Sequence, residues 1–294
     1  MSYINTNVEK FQGVLPKNKE YKFTRYVKQN NIIDEINMTF IPVCTCKKLD
    51  KHNYVNLKTG EVNGFMPKIE GIQMRNRRSL RKIFTDLRYR ITTNFEGKDC
   101  EKFVTLTYDE QTNDPKQIHM DLKLYNQRLK RAYKGIGFIN IVEPHASGNF
   151  HVHSLLKRCN GEPLNMTYED IFKLWGHGYV TVEDLQSVDH IGAYFIAYFS
   201  NMELTDAQAA RYDEQNDITE KNGKKYIKGK RLDFYPDYMQ IYRASHNLKK
   251  PEHVSEFDKN DYNNRFEVTY KLTNTDADGN TAESYINKKQ HKKK

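Results

Sequence analysis

The sequence lacks the features that would place this protein in a membrane or outside the cell. None of its 294 residues belong to an apolar run of 18 or more, so we expect no transmembrane helix. The opening segment MSYINTNVEK contains no apolar core of the kind that a signal peptide requires. We therefore expect a cytoplasmic protein, located in the cytoplasm of a host cell, with no membrane partner.

Cysteine is also scarce, and its spacing argues against a structural zinc site. Only four cysteines are present. Cys44 and Cys46 form a C-x-C pair close to His52, which could be half of a zinc site. The remaining Cys100 and Cys159 are too far apart in sequence to supply the second pair. We therefore expect all four side chains to be thiols.

Positive charge, in contrast, is in excess. The chain has 47 Lys and Arg residues against 38 Asp and Glu residues, a net charge of +9. This balance favours a polyanionic partner such as nucleic acid, although a basic surface without any partner would give the same count. The length and the 37% hydrophobic content suit one main domain with additions.

The chain divides into three parts by composition and periodicity. Residues 1–72 are polar and irregular and are interpreted as an N-terminal accessory segment with a hairpin at 54–65. Residues 73–252 carry the regular patterns of the main domain. Residues 205–235 within it are highly charged and are expected to form an irregular extension. Residues 253–294 are expected to contain one half-exposed strand, at 265–272, and a solvated basic tail.

The main domain alternates strands and helices. Helices are predicted at 75–90, 115–133, 168–175 and 190–202 from apolar residues at helical spacing and from capping residues such as the Thr-x-x-Asp sequence at 167–170. Strands are predicted at 103–109, 138–142, 150–156, 179–182 and 238–242. This order indicates an α+β fold, with a central antiparallel sheet flanked by helices and with N- and C-terminal extensions.

The first of these helices is strongly basic. The segment RNRRSLRKIFTDLRYR places its apolar residues on one face and cations on the others. Such a helix packs against a core on one side and can meet phosphates on the other, although a solvated basic face is equally compatible with the pattern. The candidate DNA-binding residues are Arg75, Arg77, Arg78, Arg81 and Lys82.

The hairpin predicted at 138–156 carries candidate metal ligands. His151 and His153 lie one residue apart on a strand, so their side chains point to the same face. Glu143 ends the preceding strand across the turn and can come within ligand distance; His145, in the turn, is a rival. Two imidazoles and one carboxylate suit a divalent cation with open positions for substrate oxygens, and we expect Mg²⁺ or Mn²⁺. An H-x-H sequence alone is a weak signal, since two ordinary strand histidines would look the same.

A tyrosine pair on the last predicted helix completes the candidate site. Tyr194 and Tyr198 are four residues apart and therefore share one helix face. A phenol near a phosphate-polarising metal can act as a nucleophile and form a phosphotyrosine. In a chain with 20 tyrosines, a pair of core aromatics is the alternative.

Together these segments resemble the HUH endonucleases that initiate rolling-circle replication in phages and small plasmids. FVTLTYDE is similar to their first motif, IVEPHASGNFHVHSLL to their metal motif, and GAYFIAYF to their tyrosine motif. RRSLRKIF and IYRASHNLKKP are similar to flanking segments, so the resemblance covers roughly residues 75–251.

The resemblance implies a fold and an activity. It implies an antiparallel sheet of the HUH type and the nicking of single-stranded origin DNA, with a 5′-phosphotyrosyl link and a free 3′-OH that primes synthesis. Glu143, His151 and His153 would be the metal ligands. Tyr194 and Tyr198 would be the nucleophiles, one holding the strand end while the other attacks when the strands are rejoined.

Two departures from the family pattern affect these expectations. Many relatives have a lysine three residues after a catalytic tyrosine, whereas Ala197 and Asn201 stand there in this chain. The assignment of one tyrosine over the other therefore stays open. There is also no G-x-x-x-x-G-K-S/T loop, so the protein would depend on a separate helicase, as well as on a polymerase, from the host or the replicon.

Three other functions remain open at the level of sequence. A single-tyrosine transposase shares the metal motif. A non-catalytic nucleic-acid-binding protein could use exposed aromatics on a similar sheet to stack bases. A metal-dependent hydrolase would use water instead of tyrosine as the nucleophile.

Overall fold

The computed structural model describes most of the chain, and the described residues form an α+β fold with antiparallel sheets, as predicted. These residues are 5–42, 46–50, 52–64, 77–110, 112, 114–144, 149–185, 190–204, 218–221, 223–227, 229–236, 239–276 and 278–294. Internal contacts divide the chain into two compact units. One comprises residues 74–250, and the other comprises residues 1–73 together with 251–294.

The elements follow one another in this order. The strands are β1 (Asn5–Phe11), β2 (Phe23–Gln29), β3 (Ile32–Met38), β4 (Cys46–Lys48), β5 (Asn53–Asn56), β6 (Val62–Gly64), β7 (Glu101–Thr107), β8 (Ile136–Pro144), β9 (Phe150–Arg158), β10 (Val180–Asp184), β11 (Met202–Leu204), β12 (Ile218–Lys221), β13 (Lys224–Ile227), β14 (Tyr242–Ala244), β15 (Glu252–Val254), β16 (Tyr262–Thr275) and β17 (Thr281–Lys293). The helices are α1 (Arg77–Asn94), α2 (Pro115–Ala132), α3 (Tyr168–Trp175) and α4 (Ile191–Ser200), and short 3-10 helices occur at Lys230–Phe234 and Lys259–Asp261.

The unit formed by residues 74–250 is built on a five-stranded antiparallel sheet with the order β10-β7-β9-β8-β14. The predicted helices and strands of this region are confirmed with small shifts at their ends. Helix α1 continues four residues beyond the predicted end, because the fully buried Ile91 adds another turn to its apolar face. Thr167 and Asp170 form the predicted capping box of α3.

Helices cover both faces of this sheet. On one face, α2 and α3 pack over alternate strand residues such as Val104 and Val152, and the fully buried Trp175 donates its indole N–H to the carbonyl oxygen of Thr107 at 3.1 Å. On the other face, α1 and α4 pack over Ile141 and Leu155. Because side chains alternate along β9, His151 and His153 share the second face with Leu155, beneath α4.

Helices α1 and α4 approach each other closely at Gly192. A Cβ atom placed there would lie 2.2 Å from the hydroxyl oxygen of Thr92 and 2.7 Å from the backbone oxygen of Arg88. Only glycine permits this approach without a shift of one helix. Gly192 therefore helps to set the position of the helix that carries both tyrosines.

Part of the segment expected to be irregular forms a small sheet. In the described part of 205–235, β12 and β13 pair as a hairpin, and β11 pairs with β13. The Asn-Gly sequence at 222–223 is a strong hairpin signal that identifies this turn in hindsight. Of the region predicted as strand 238–242, residues 242–244 form β14.

The other unit contains two antiparallel sheets. A six-stranded sheet has the order β1-β16-β17-β3-β2-β15, and a three-stranded sheet has the order β4-β5-β6. The predicted solvated tail is wrong, because residues 288–293 belong to β17 and His291 is buried. The Asp-Gly turn at 278–279, where Gly279 has a φ of 84°, connects β16 and β17.

Two further observations concern the expectations drawn from composition. Cys46, Cys100 and Cys159 are free thiols, as expected, and Cys44 lies outside the described residues. Within the described part of the chain, no helix combines the length and the apolar composition needed to cross a membrane.

Candidate active site

The β8–β9 hairpin brings two of the predicted metal ligands into contact. Glu143 pairs with His151 across the hairpin, and Ile141 pairs with His153. Paired residues of antiparallel strands have side chains on the same face, so Glu143, His151 and His153 share one side of the sheet. Oε2 of Glu143 contacts Nε2 of His153. The predicted convergence of Glu143 and His153 therefore exists as a buried pair.

His153 is held in a closed environment. Its side chain is almost fully buried, and its ring stacks on that of Phe103 with a centroid distance of 5.4 Å. The Thr105 hydroxyl lies 3.1 Å from Nδ1, and because a hydroxyl can donate or accept, it can support either tautomer. Burial lowers the pKa of His153 to about 4, with the charge of Glu183 acting in the opposite direction. The imidazole is therefore neutral at neutral pH, which is the form that can bind a metal.

Helix α4 places Tyr198 directly above this pair. The Tyr198 ring is perpendicular to the His153 ring, with a centroid distance of 5.4 Å, and Phe195 and Phe199 anchor the helix in the core. Tyr198 is nevertheless 44% exposed, so one side of its ring faces solvent. Tyr194 lies one turn earlier on the same helix and is 48% exposed. Both tyrosines are thus accessible, and Tyr198 has the contact with the histidine.

The environment of Tyr198 keeps its phenol protonated. Burial raises the pKa of Tyr198, and the neighbouring Tyr194, Glu183 and Glu203 raise it further. A neutral phenol is a poor nucleophile, so a reaction at this oxygen requires that the proton leave as the new bond forms.

Arg231 is a member of this site that sequence reasoning missed. Its Nη1 contacts Oε1 of Glu143 and also donates a hydrogen bond to the backbone oxygen of Tyr198 at 3.3 Å. Burial lowers the pKa of Arg231, yet an arginine remains charged at neutral pH. Glu143 thus lies between the imidazole of His153 and a guanidinium. Arg231 comes from the segment predicted to be irregular, and no spacing pattern pointed to it.

The predicted three-ligand group is not assembled in this structure. No group of three or more His, Cys, Asp or Glu side chains within the described residues is placed so that it could hold a metal ion. His151 is half-buried opposite Glu143, and His145 lies outside the described residues. The donor set still fits a divalent cation in its chemistry, because two imidazoles and a carboxylate project from one face of one hairpin.

The predicted DNA-binding residues are described only in part. Arg81 and Lys82 lie on α1 and are exposed, as a phosphate-binding role requires. Arg77 and Arg78 belong to α1, but their side chains, like all of Arg75, lie outside the described part. Their contact with DNA stays a prediction.

Comparison with known proteins gives one finding for this region. The sequence model of a family of replication-associated proteins, described as the ORF2 type, matches residues 101–203. The matched segment contains β7, the β8–β9 hairpin and α4, and therefore all five predicted metal-binding and catalytic residues. Neither curated proteins nor solved structures give a match. The family match supports a role in replication.

Proposed function

We propose that this protein is a replication initiator that nicks single-stranded origin DNA through a tyrosine nucleophile. The observation that carries the proposal is the placement of the Tyr198 ring over the buried Glu143–His153 pair, within the segment that matches the replication-associated family. An accessible phenol next to an imidazole and a carboxylate is the minimal set for phosphodiester cleavage through a covalent intermediate.

The chemistry balances with the groups at the site. The Tyr198 oxygen attacks the scissile phosphorus, and the bond between phosphorus and the 3′ oxygen breaks. The phenol loses its proton, and the departing 3′ oxygen gains one, so the products are a 5′-phosphotyrosyl DNA end and a free 3′-OH. The positive charge of Arg231 lies close enough to Tyr198 and Glu143 to stabilise the negative charge of a bound phosphate.

A divalent metal is part of the proposal. Glu143, His151 and His153 would hold Mg²⁺ or Mn²⁺, and the ion, when bound, would polarise the scissile phosphate. The neutral state of His153 favours such binding, because a protonated imidazole has no lone pair for a cation.

The second tyrosine gives the protein a way to complete a replication cycle. Tyr194 is exposed one helical turn from Tyr198. While one tyrosine carries the 5′ end, the other can attack the regenerated origin, and the released 3′-OH can then rejoin the strands. Because Tyr198 contacts His153, we assign the first attack to Tyr198.

A denaturing gel with an end-labelled single-stranded origin oligonucleotide and Mn²⁺ tests the proposal. The wild-type protein should form a covalent adduct on the 5′ side of the nick, and a variant with His151→Ala and His153→Ala should form none. Tyr198→Phe should abolish the first adduct, whereas Tyr194→Phe should retain nicking and lose the later joining step.

Each competing function gives a different gel. Cleavage that persists without an adduct when both tyrosines are phenylalanine would show a water-using hydrolase. Binding without cleavage by the wild type would show a nucleic-acid-binding protein. Full nicking and joining with Tyr198 alone would favour the single-tyrosine transposase.

A further inference from the structure

A cationic groove lies along an edge of the five-stranded sheet, away from the tyrosine helix. Its first part is a cavity of about 780 Å³ between α1, α2 and the edge strand β14. A second cavity of about 500 Å³ continues along α2 and shares Met239, Gln240, Tyr242 and Arg243 with the first. The two cavities therefore form one elongated groove, and none of its lining residues belongs to the candidate active site.

The groove gathers positive charge from three elements. The cations that line it are Arg90 from α1, Lys116, Lys123 and Lys130 from α2, and Arg243 from β14. Among the residues that line the two cavities there is no Asp or Glu. Acidic residues are nearly as common as basic ones in this chain, 38 against 47, so a surface this free of acids is not an average sample of the protein. Clustered cations repel one another, and an anionic ligand relieves that repulsion.

The spacing of the α2 lysines indicates a chain of phosphates instead of a single one. Lys116, Lys123 and Lys130 are seven residues apart, which places all three on the same helix face about 10 Å from one another. The row spans about 21 Å, far longer than one phosphate group. A single phosphate would be bound by cations that converge on one point.

Other side chains of the groove suit unpaired bases. Asn126, Gln127 and Gln240 offer amide donors and acceptors, and Tyr242 offers an aromatic ring, in the same cavity as the cations. Lys130 lies over the Phe138 ring at 5.4 Å, which keeps its stem against the protein. Amides and an aromatic ring beside a cationic row are the combination that binds single strands, because bases are free to stack and to form hydrogen bonds only when unpaired.

We propose that this groove binds single-stranded DNA as a second site, separate from the tyrosine site. The assignment of DNA as the natural ligand rests on the proposed function, whereas the binding of a single strand follows from the groove itself. A strand held here would keep the origin on the protein while its nicked end is attached to tyrosine.

A charge-matched pair of variants tests the groove. The groove variant carries Lys116→Gln, Lys123→Gln and Lys130→Gln, and the control carries Lys134→Gln, Lys173→Gln and Lys250→Gln, which are exposed and line neither cavity. Both lose the same charge, and glutamine has nearly the helix propensity of lysine, so both should melt close to the wild type. Binding of a labelled single strand of about 20 nucleotides, and of the matching duplex, is measured by fluorescence anisotropy over a range of salt concentrations.

The expected result is specific to the groove. The groove variant should bind the single strand about 10-fold more weakly, with a salt slope smaller by about 2, because three phosphate contacts are lost. Equal losses in the groove variant and the control would overturn the proposal, as would a loss confined to the duplex. The phenylalanine variants of both tyrosines should retain groove binding. Failure of adduct formation by the wild type would thus refute the proposed function while leaving the groove intact.

Discussion

At the scale of single residues, the site depends on how the charge of Glu143 is neutralised. Its carboxylate contacts a neutral imidazole on one side and the Arg231 guanidinium on the other, and its side chain is 9% exposed. A buried carboxylate that loses its cationic partner is strongly unfavourable. Arg231 therefore has two consequences that can be separated by experiment, one for stability and one for chemistry.

We predict that Arg231→Gln slows adduct formation about 100-fold, the usual cost of removing one charge-stabilising donor. The same variant should unfold at a lower temperature than the wild type, because Glu143 loses its cation. Added Mn²⁺ should raise the melting temperature of the variant more than that of the wild type, since the ion can neutralise the same carboxylate. Quenched-flow gels and thermal melts measure both effects.

Two controls accompany this prediction. Arg231→Lys should recover part of the rate, because it restores the charge without the planar geometry. Lys230→Ala removes the same charge one position earlier and should leave the rate within about 3-fold of the wild type. An Arg231→Gln protein with an unchanged rate would exclude Arg231 from the site.

Sequence reasoning predicted the residues whose roles follow from periodicity. Alternation along a strand was enough to place His151 and His153 on one face, and helical spacing was enough to pair Tyr194 with Tyr198. Arg231 was missed because its contact with Glu143 joins residues 88 positions apart through a segment without a periodic pattern. The contact between Tyr198 and His153 was equally beyond spacing rules, since it depends on where α4 packs.

At the scale of elements, the position of α4 depends on a helix crossing that has no room for a side chain. Gly192→Ala would force a methyl group against the backbone of Arg88 and the hydroxyl of Thr92. We predict a loss of about 1 to 3 kcal/mol in the free energy of unfolding, typical of overpacked sites. Because α4 must shift, adduct formation should also slow, although neither tyrosine is altered. Urea unfolding and gel assays check the two effects.

The matched control is the next residue on the same helix. Ala193 is exposed, so Ala193→Ser adds a similar volume without a steric conflict. It should leave stability and rate near those of the wild type. A Gly192→Ala protein that matched the control would show that the α1–α4 crossing can relax without cost.

Most elements of the main domain could be predicted from sequence because they bury one regular face. Helix α2 and the β8–β9 hairpin are examples, with apolar residues at the period of each structure. The β12–β13 and β16–β17 hairpins were harder to see, because their strands are rich in lysine and polar residues. In both, the Asn-Gly or Asp-Gly turn was the informative signal, and the composition of the flanking strands obscured it.

At the scale of the whole molecule, the two ends of the chain form one sheet. Strand β1 pairs with β16, and β17 separates β16 from β3, so C-terminal strands lie between N-terminal ones. No local pattern reveals a pairing between residues about 250 positions apart, which is why the sequence suggested two separate extensions. The N-terminal strands therefore need the C-terminal strands as neighbours.

This topology predicts the effect of a truncation. A chain that ends after Lys250 lacks β15, β16 and β17, so β1 has no partner and β3 loses one edge. We predict that amides in β2 and β3 then exchange with solvent within seconds, since an isolated hairpin is marginally stable at best. Hydrogen-exchange mass spectrometry on peptides covering residues 23–38 measures this. A chain ending after Thr275, which keeps β16 but lacks β17, should behave in the same way, and protection in either chain would contradict the prediction.

The stability of this terminal unit should depend on pH through Glu35. Glu35 is buried in β3, where His291 lies 2.9 Å and Lys259 lies 3.3 Å from its carboxylate. Burial acts to raise the pKa of Glu35, but hydrogen bonds with Asn37 and His291 and the charge of Lys259 outweigh it, so the pKa is lower than usual. Between the folded pKa and the unfolded pKa of about 4.3, the unfolded chain binds more protons, so stability rises with pH.

The stabilisation from Glu35 is therefore complete above the unfolded pKa and is lost as pH falls through the lower folded pKa. Glu35→Gln should reduce the stability of this unit near neutral pH and weaken its dependence on acid, because the amide does not titrate. The urea midpoint of methyl NMR signals from Ile32, Ile33 and Ile36, recorded from neutral pH down to pH ~3, reports this unit. Glu256→Gln, which removes an exposed carboxylate of the same unit, should retain the acid dependence of the wild type. If both variants lose stability in parallel with the wild type as pH falls, the acid sensitivity arises from carboxylates other than Glu35.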